Sequence, residues 1–226
     1  MTAVTPRREG APEVDLTVGY VEHRAIRADL LRLVTTLDSP DAARMPARRA
    51  AAVRTYIDHL IFATVRHHNI EDEGLWPLLG AATRAAGVTM DLDEFSKDHE
   101  VLDALLERAG AEAARFAADP AAAARPLAGT VKELRELLER HLGKEEEVIF
   151  PAVTRYVSVE DYQRFELEAR KRYSVKDLTF MGPWLAKYAS RAERDSALAP
   201  NAFYRMMLAL GRFGYRSLER RAFGAT

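Results

Sequence analysis

The chain has 226 residues, 48% of them hydrophobic and 30% charged, which suits one domain with an extension or two small ones and excludes a disordered or fibrous chain. It contains no cysteine, so it has no disulfide, no thiolate metal site and no thiol nucleophile, and any metal must be held by nitrogen and oxygen. A formal net charge of -1 argues against nucleic acid as a partner. The longest uncharged apolar-rich stretch, Gly74–Thr83, contains Pro77 and is too short for a transmembrane segment. The first residues carry no apolar run of the secretory type, and a cytoplasmic location is expected.

Residues rich in Ala, Leu, Glu and Arg, with few β-branched runs, point to an all-α chain. Residues 1–14, with Pro6, Gly10 and Pro12, read as a flexible leader. Ile26, Leu30, Leu33 and Leu37 then form a stripe at helical spacing, with His23 one turn before it. After a loop over Asp38–Pro46 a second stripe runs through Val53, Tyr56, Leu60, Ala63 and His67 to Glu71. Asp91 and Glu94 suggest a capping box for a third helix carrying Phe95, His99, Leu102 and Leu106. Asp119-Pro120 ends it, and a fourth stripe follows through Val131, Leu134, Leu138, His141, Glu145 and Val148. Four such helices with short connections predict an antiparallel up-down-up-down four-helix bundle over residues 15–155. Residues 156–226 form an additional helical C-terminal extension of basic character. From 159 onward there are 13 Lys and Arg against 8 Asp and Glu, which leaves the preceding part acidic.

A motif occurs twice. His67-His68-Asn69-Ile70-Glu71-Asp72-Glu73-Gly74-Leu75-Trp76-Pro77 is echoed 74 residues later by His141-Leu142-Gly143-Lys144-Glu145-Glu146-Glu147-Val148-Ile149-Phe150-Pro151. Both read His-x3-Glu, further acids, an aromatic and a proline. The two lone histidines fit the same plan: His23 precedes His67 by 44 residues and His99 precedes His141 by 42. Residues i and i+4 share a helical face, so His23, His67, Glu71, His99, His141 and Glu145 can meet at one height. Two ionised carboxylates taken out of water cost several kcal/mol each unless paired or metal-bound. Four imidazoles and two carboxylates can instead supply the inner shells of two divalent ions, with each Glu able to bridge. Such ligands suit iron, manganese or zinc. The Glu-x-x-His pairs of ferritin-like bundles and the His-Glu-x-x-His zincin motif are both absent.

The order His … His-x3-Glu … His … His-x3-Glu, with Trp76-Pro77 and Phe150-Pro151 closing the motifs, resembles the hemerythrin-like, HHE cation-binding family over about residues 15–155. That resemblance implies a four-helix bundle around two non-haem, carboxylate-bridged iron ions, with manganese or zinc as less favoured cofactors. It carries the ligand role to His23, His67, Glu71, His99, His141 and Glu145. The oxygen carriers of the family have five histidines, including a His-x3-His pair on the third helix. Here His99 is followed by Asp103 instead, which departs from the oxygen-carrier pattern.

Further polar residues near the stripes have weaker claims. His68 is rotated about 100° from His67 and reads first as a buried or supporting residue, second as an additional metal ligand. His59 lies about 12 Å along the helix from His67, too far to share the metals. Tyr56 reads first as core and second as lining a pocket. Asp103 either supports a ligating imidazole or faces solvent. Asp72, Glu73, Glu146 and Glu147 read as a solvated face, and Trp76 and Phe150 as closing one end of the bundle. In the extension, Phe203, Met206, Met207, Leu210 and Phe213 form an apolar face among arginines, expected first to pack on the chain's own bundle, with a membrane surface, a homo-oligomer or a partner as the alternatives.

Function follows from charge. Two ferrous ions with only two carboxylates keep a net positive charge, and a His-rich site favours binding a small oxidant over strong oxygen activation. The leading expectation is a protein that binds or senses O2, peroxide or NO as its small-molecule partner. The alternative is an enzyme, with catalase-like peroxide disproportionation or NO handling. A third reading is a metal-stabilised module whose extension binds a partner.

Overall fold

The computed structural model describes residues 4–5, 7–198 and 202–224. These are all-helical, with no β-strand among the described residues. Four long helices carry the motifs: α1 (Thr17–Leu37), α2 (Ala47–Ile70), α4 (Asp93–Ala118) and α5 (Pro120–Lys144). Short α3 (Trp76–Ala85) and α6 (Phe150–Tyr156) continue α2 and α5 beyond a π-helical turn each. The C-terminal part holds α7 (Val159–Lys171), α8 (Val175–Tyr188), the single turn α9 (Arg191–Glu193) and α10 (Ala202–Phe223). Helix α4 packs against α2 and α5, and α5 packs against α1.

The breaks follow local chemistry. Asp119 accepts a hydrogen bond from Ala122 N–H and Pro120 opens α5, where its missing N–H costs nothing. Ser158, Ser174 and Ser190 cap the helices that follow them. The capping box expected at Asp91 does not form. Asp91 instead takes the N–H of Asp93, and Glu94 is held by Lys144 at 2.7 Å, so its carboxylate cannot turn back to the backbone.

Two apolar clusters bracket the motifs. One contains Leu30, Leu33, Val53, Leu60, Leu102, Leu106, Leu127 and Leu138. The other contains Val14, Leu16, Trp76, Leu79, Phe95, Ile149 and Phe150. Along each long helix the motif histidine falls between members of the two clusters. Trp76 and Phe150 thus close one end, and the stretch read as a leader takes part. Val14 and Leu16 are buried, Thr5 N–H donates to Asp161 and Arg7 N–H to the Tyr156 carbonyl. These contacts tie residues 4–5 and 7–14 to α6 and α7, whereas Met1, Thr2, Ala3 and Pro6 lie outside the described residues.

The C-terminal helices are part of the larger core. Helix α10 packs on α8 and α2, and α8 on α1, which places Phe180, Trp184, Tyr215, Leu218 and Ala222 in the same cluster as the long helices. Buried Asp29 of α1 fastens this union. It accepts hydrogen bonds from Tyr56 Oη at 2.7 Å, Trp184 Nε1 at 2.6 Å and Tyr188 Oη at 2.5 Å, and Arg32 pairs with it at 2.9 Å. Tyr56 also meets Tyr215 across this network. At the α8–α10 crossing a Cβ on Gly211 would lie 2.1 Å from the Thr179 carbonyl, so the helices touch backbone to backbone. Of the apolar face expected on α10, Met207 is buried while Phe203, Met206, Leu210 and Phe213 are exposed. No described helix is long and apolar enough to cross a membrane.

Two outcomes check this account. Asp29→Ala leaves several buried donors without an acceptor and is expected to cost about 3 kcal/mol in denaturant unfolding. Gly211→Ala forces α10 off α8 and is expected to cost about 2 kcal/mol, with limited proteolysis cutting earlier in the C-terminal helices. Wild-type unfolding of either variant would remove its role in holding the two parts together.

Candidate metal centre

Each motif proline cannot donate to the carbonyl four residues before it. The chain answers by widening the preceding turn. Glu71–Leu75 and Glu145–Ile149 are π-helical, with Trp76 N–H bonded to the Glu71 carbonyl and Phe150 N–H to the Glu145 carbonyl. This kind of insertion is common at functional sites. Here it keeps the chain helical through both motifs, and the acids after each Glu point back at the opposite half of the site.

The six expected residues converge. His23, His67, Glu71 and Glu145 form one buried group, and Glu71, His99, His141 and Glu145 form another; within each group one ligand atom per residue lies within 4.8 Å of the rest. The two carboxylates belong to both groups and divide their oxygens between them. Glu71 places Oε1 3.4 Å from His67 Nε2 and Oε2 3.5 Å from His99 Nε2. Glu145 places Oε2 3.3 Å from His23 Nε2, and Oε1 2.9 Å from His141 Nε2.

His68, a lesser candidate in the sequence, joins the second side. It forms a further buried group with His99 and His141 and stacks on His99 at 4.3 Å between ring centroids. Burial pushes its pKa down to about 4, against the pull of Asp103 and assisted by the neighbouring imidazoles, so near neutral pH the ring is uncharged and has a lone pair to give. His59 stays apart, stacked on Phe180 at 4.2 Å. Tyr56 is likewise remote, committed to Asp29.

A carboxylate faces the outer nitrogen of every ring. Glu146 meets His23 Nδ1 at 2.9 Å, Asp72 meets His99 Nδ1 at 2.8 Å and Asp103 meets His68 Nδ1 at 2.8 Å. Glu22 lies 3.7 Å from His67 Nδ1 and Asp98 3.7 Å from His141 Nδ1. Where Nδ1 donates to its carboxylate, as in His23, His99 and His68, Nε2 is left with a lone pair aimed at the centre, the tautomer a metal ligand needs, whereas His141 Nδ1 is buried without a hydrogen-bond partner. This corrects the reading of Asp72 and Glu146 as a solvated face. Each follows its motif Glu and crosses to the lone histidine of the other half. Arg27 additionally holds Glu146 at 2.5 Å, whereas Glu73 does turn outward, to Arg172. Glu22 and Asp98 were not singled out in the sequence, although each immediately precedes a lone histidine.

The electrostatics call for positive charge at the centre. The Nε2 atoms of His23, His67 and His68, Glu71 Oε2 and both oxygens of Glu145 are buried without a hydrogen-bond partner. His99 and His141 bring their Nε2 atoms within hydrogen-bond distance of each other, at 3.1 Å. Burial and repulsion from Glu145 push Glu71 well above the usual carboxylate range. Glu145 is equally buried, yet the surrounding imidazoles of His141, His23, His67 and His99 hold it well below that range. Inward-facing lone pairs of this kind, confined to nitrogen and oxygen, fit a pair of borderline divalent ions.

Residues 20–153 match the hemerythrin HHE cation binding domain. Neither the curated proteins nor the solved structures gave a match.

The carboxylates behind the rings provide a test that leaves the inward-facing set intact. Asp72→Ala and Glu146→Ala are each expected to weaken iron or zinc binding about 10–100-fold while His59→Ala leaves it unchanged, as read by competition with a chromophoric chelator. Unchanged affinity in both carboxylate variants would mean that ring orientation is fixed by packing alone.

Proposed function

Because the chain belongs to the hemerythrin HHE cation-binding family, we propose that it is a dinuclear non-haem iron protein that binds or senses a small oxidant: O2, peroxide or NO. The observation that carries this reading is the division of the Glu71 and Glu145 oxygens between two sets of histidine nitrogens. We assign one ion to His23 and His67, the other to His68, His99 and His141, with Glu71 and Glu145 bridging. His68 thereby supplies a fifth histidine from α2, in place of the second third-helix histidine of the oxygen carriers. We read α1, α2, α4 and α5 as an up-down-up-down bundle over 15–155, with residues 156–226 as its support, in a cytoplasmic protein.

Bound iron supplies redox equivalents and open coordination positions for the oxidant. The chain's own groups set the conditions for that chemistry. The outer carboxylates orient the rings so that their inner nitrogens face the centre. Phe150 against His23 at 5.0 Å and Trp76 stacked on His99 at 6.1 Å shield the rings from water. The side with two histidines has fewer protein ligands, so the small molecule is assigned there.

A catalase-like or NO-handling enzyme is the second reading, favoured by Glu22. Its Oε1 is buried without a partner beside His67, where it can take up and return a proton during peroxide disproportionation to water and O2.

Anaerobic loading is expected to give two iron atoms per chain by elemental analysis, and a persistent value below one would overturn the dinuclear reading. Glu145→Ala is expected to lose iron where His59→Ala keeps it. Iron at a thousandfold excess over its Kd is expected to stabilise the chain by about 4 kcal/mol, seen as a raised Tm; no change would sever metal binding from folding. A reversible spectral change with O2 or NO supports the binder, and sustained release of O2 from peroxide supports the enzyme.

A further inference from the structure

The two-histidine side of the centre borders a cavity of about 220 Å³ between the long helices and the C-terminal helices. His67, Glu71 and Glu22 form its polar end, whereas His68, His99 and His141 do not line it. Its walls are largely aromatic and aliphatic, with Phe150, Tyr162, Phe165, Tyr173, Met181 and Leu185 among them. More than half of the lining residues follow residue 153, beyond the matched family region. The cavity is therefore made by this chain's own C-terminal helices.

Size decides against a diatomic molecule or peroxide as the sole occupant. An apolar cavity of about 150 Å³ takes up benzene, and a single water needs about 10–15 Å³ on the same measure. On that scale the space suits an organic molecule of about nine or ten non-hydrogen atoms. Polarity selects its head group. Glu22 is 8% exposed and lines the cavity, so the polar end presents a carboxylate that offers an acceptor and disfavours an anion. Glu166 and Arg170, also lining the cavity, are partly exposed and pair with each other at 3.7 Å, leaving no unbalanced cation there to draw in a carboxylate.

The geometry points to a binding site for a neutral, apolar organic molecule ending in a hydroxyl-type donor, its O–H on Glu22 and its body among the aromatic rings. The site rests on the metal reading only in placing that molecule beside the metal, and binding itself needs no metal.

The test uses the metal-free full-length chain titrated calorimetrically with 4-propylphenol and, separately, with octanoate. The phenol is expected to bind, and octanoate at least about tenfold more weakly. Ala169→Phe and Leu178→Trp fill the cavity and are each expected to weaken phenol binding at least about tenfold, with the helical circular dichroism signal and iron uptake unchanged. Ligand-induced shifts in the NMR signals of the Phe165 and Tyr173 rings place the phenol in the wild-type chain, whether or not either variant folds. No binding of the phenol, equal binding in a folded cavity-filling variant, or shifts confined to other rings would overturn the site. Octanoate binding as tight as the phenol would overturn the Glu22 contact. Phenol binding by a chain that takes up no iron would leave this site standing and remove the metal reading instead.

Discussion

Two carboxylates buried at the start of the π-helical turns that follow α2 and α5 set the terms for everything around them. Glu71 and Glu145 sit in the space left between two apolar clusters, where an uncompensated negative charge costs several kcal/mol. Four imidazoles face them, with that of His68 stacked behind His99, and an acid stands beside the outer nitrogen of each. This is an arrangement in layers, with acids outside, rings between and two carboxylates shared by both histidine groups within. It has a surplus of inward lone pairs, and divalent cations relieve that surplus where protons do so only in part. The two carboxyl groups are displaced in opposite directions, because the imidazoles stabilise the charge of Glu145 while burial and repulsion from Glu145 disfavour that of Glu71.

The layers repeat with approximate two-fold logic. Glu22-His23 and Asp98-His99 are equivalent pairs, and each acid turns to the motif histidine beside it, His67 or His141. Asp72 and Glu146 are equivalent as well, each reaching across to the lone histidine of the other half. The symmetry fails at one position that matters. His68 is matched by buried Leu142, so one side of the centre has three rings and the other has two. The side with fewer ligands is also the one that borders the cavity, through His67 and Glu71. Sequence asymmetry at a single pair of positions thus gives the site a direction.

The C-terminal helices pack on the long helices and wall a cavity beside the centre. Their attachment depends on Asp29, which lies two turns along α1 from His23 and gathers Tyr56, Trp184, Tyr188 and Arg32. A buried carboxylate with hydrogen bonds on both oxygens fixes one docking geometry far better than apolar contact does. The backbone contact at Gly211 narrows the α8–α10 crossing further. Both constraints lie away from the centre, yet they position the helices that wall the cavity.

Much of the centre was legible in the sequence, because i, i+4 spacing and one repeated offset are one-dimensional signals. His23, His67, Glu71, His99, His141 and Glu145 share a helical register, and a buried charge at that register demands a partner. The all-helical content followed from composition and apolar period in the same way. The supporting acids were harder to find, since their role depends on which neighbouring helix they meet. Asp72 and Glu146 look like any solvated acid until α1 and α4 are placed beside them. His68 was ambiguous for a related reason, as a rotation of about 100° turns it from His67 toward whatever helix lies on that side, and only packing put His99 and His141 there. The cavity could not be read in advance, because its walls come from segments distant in the chain whose apolar residues serve equally well as core. The sequence determined which residues had to be inside and at what height; tertiary packing decided which nitrogen faces which oxygen and where space was left between helices.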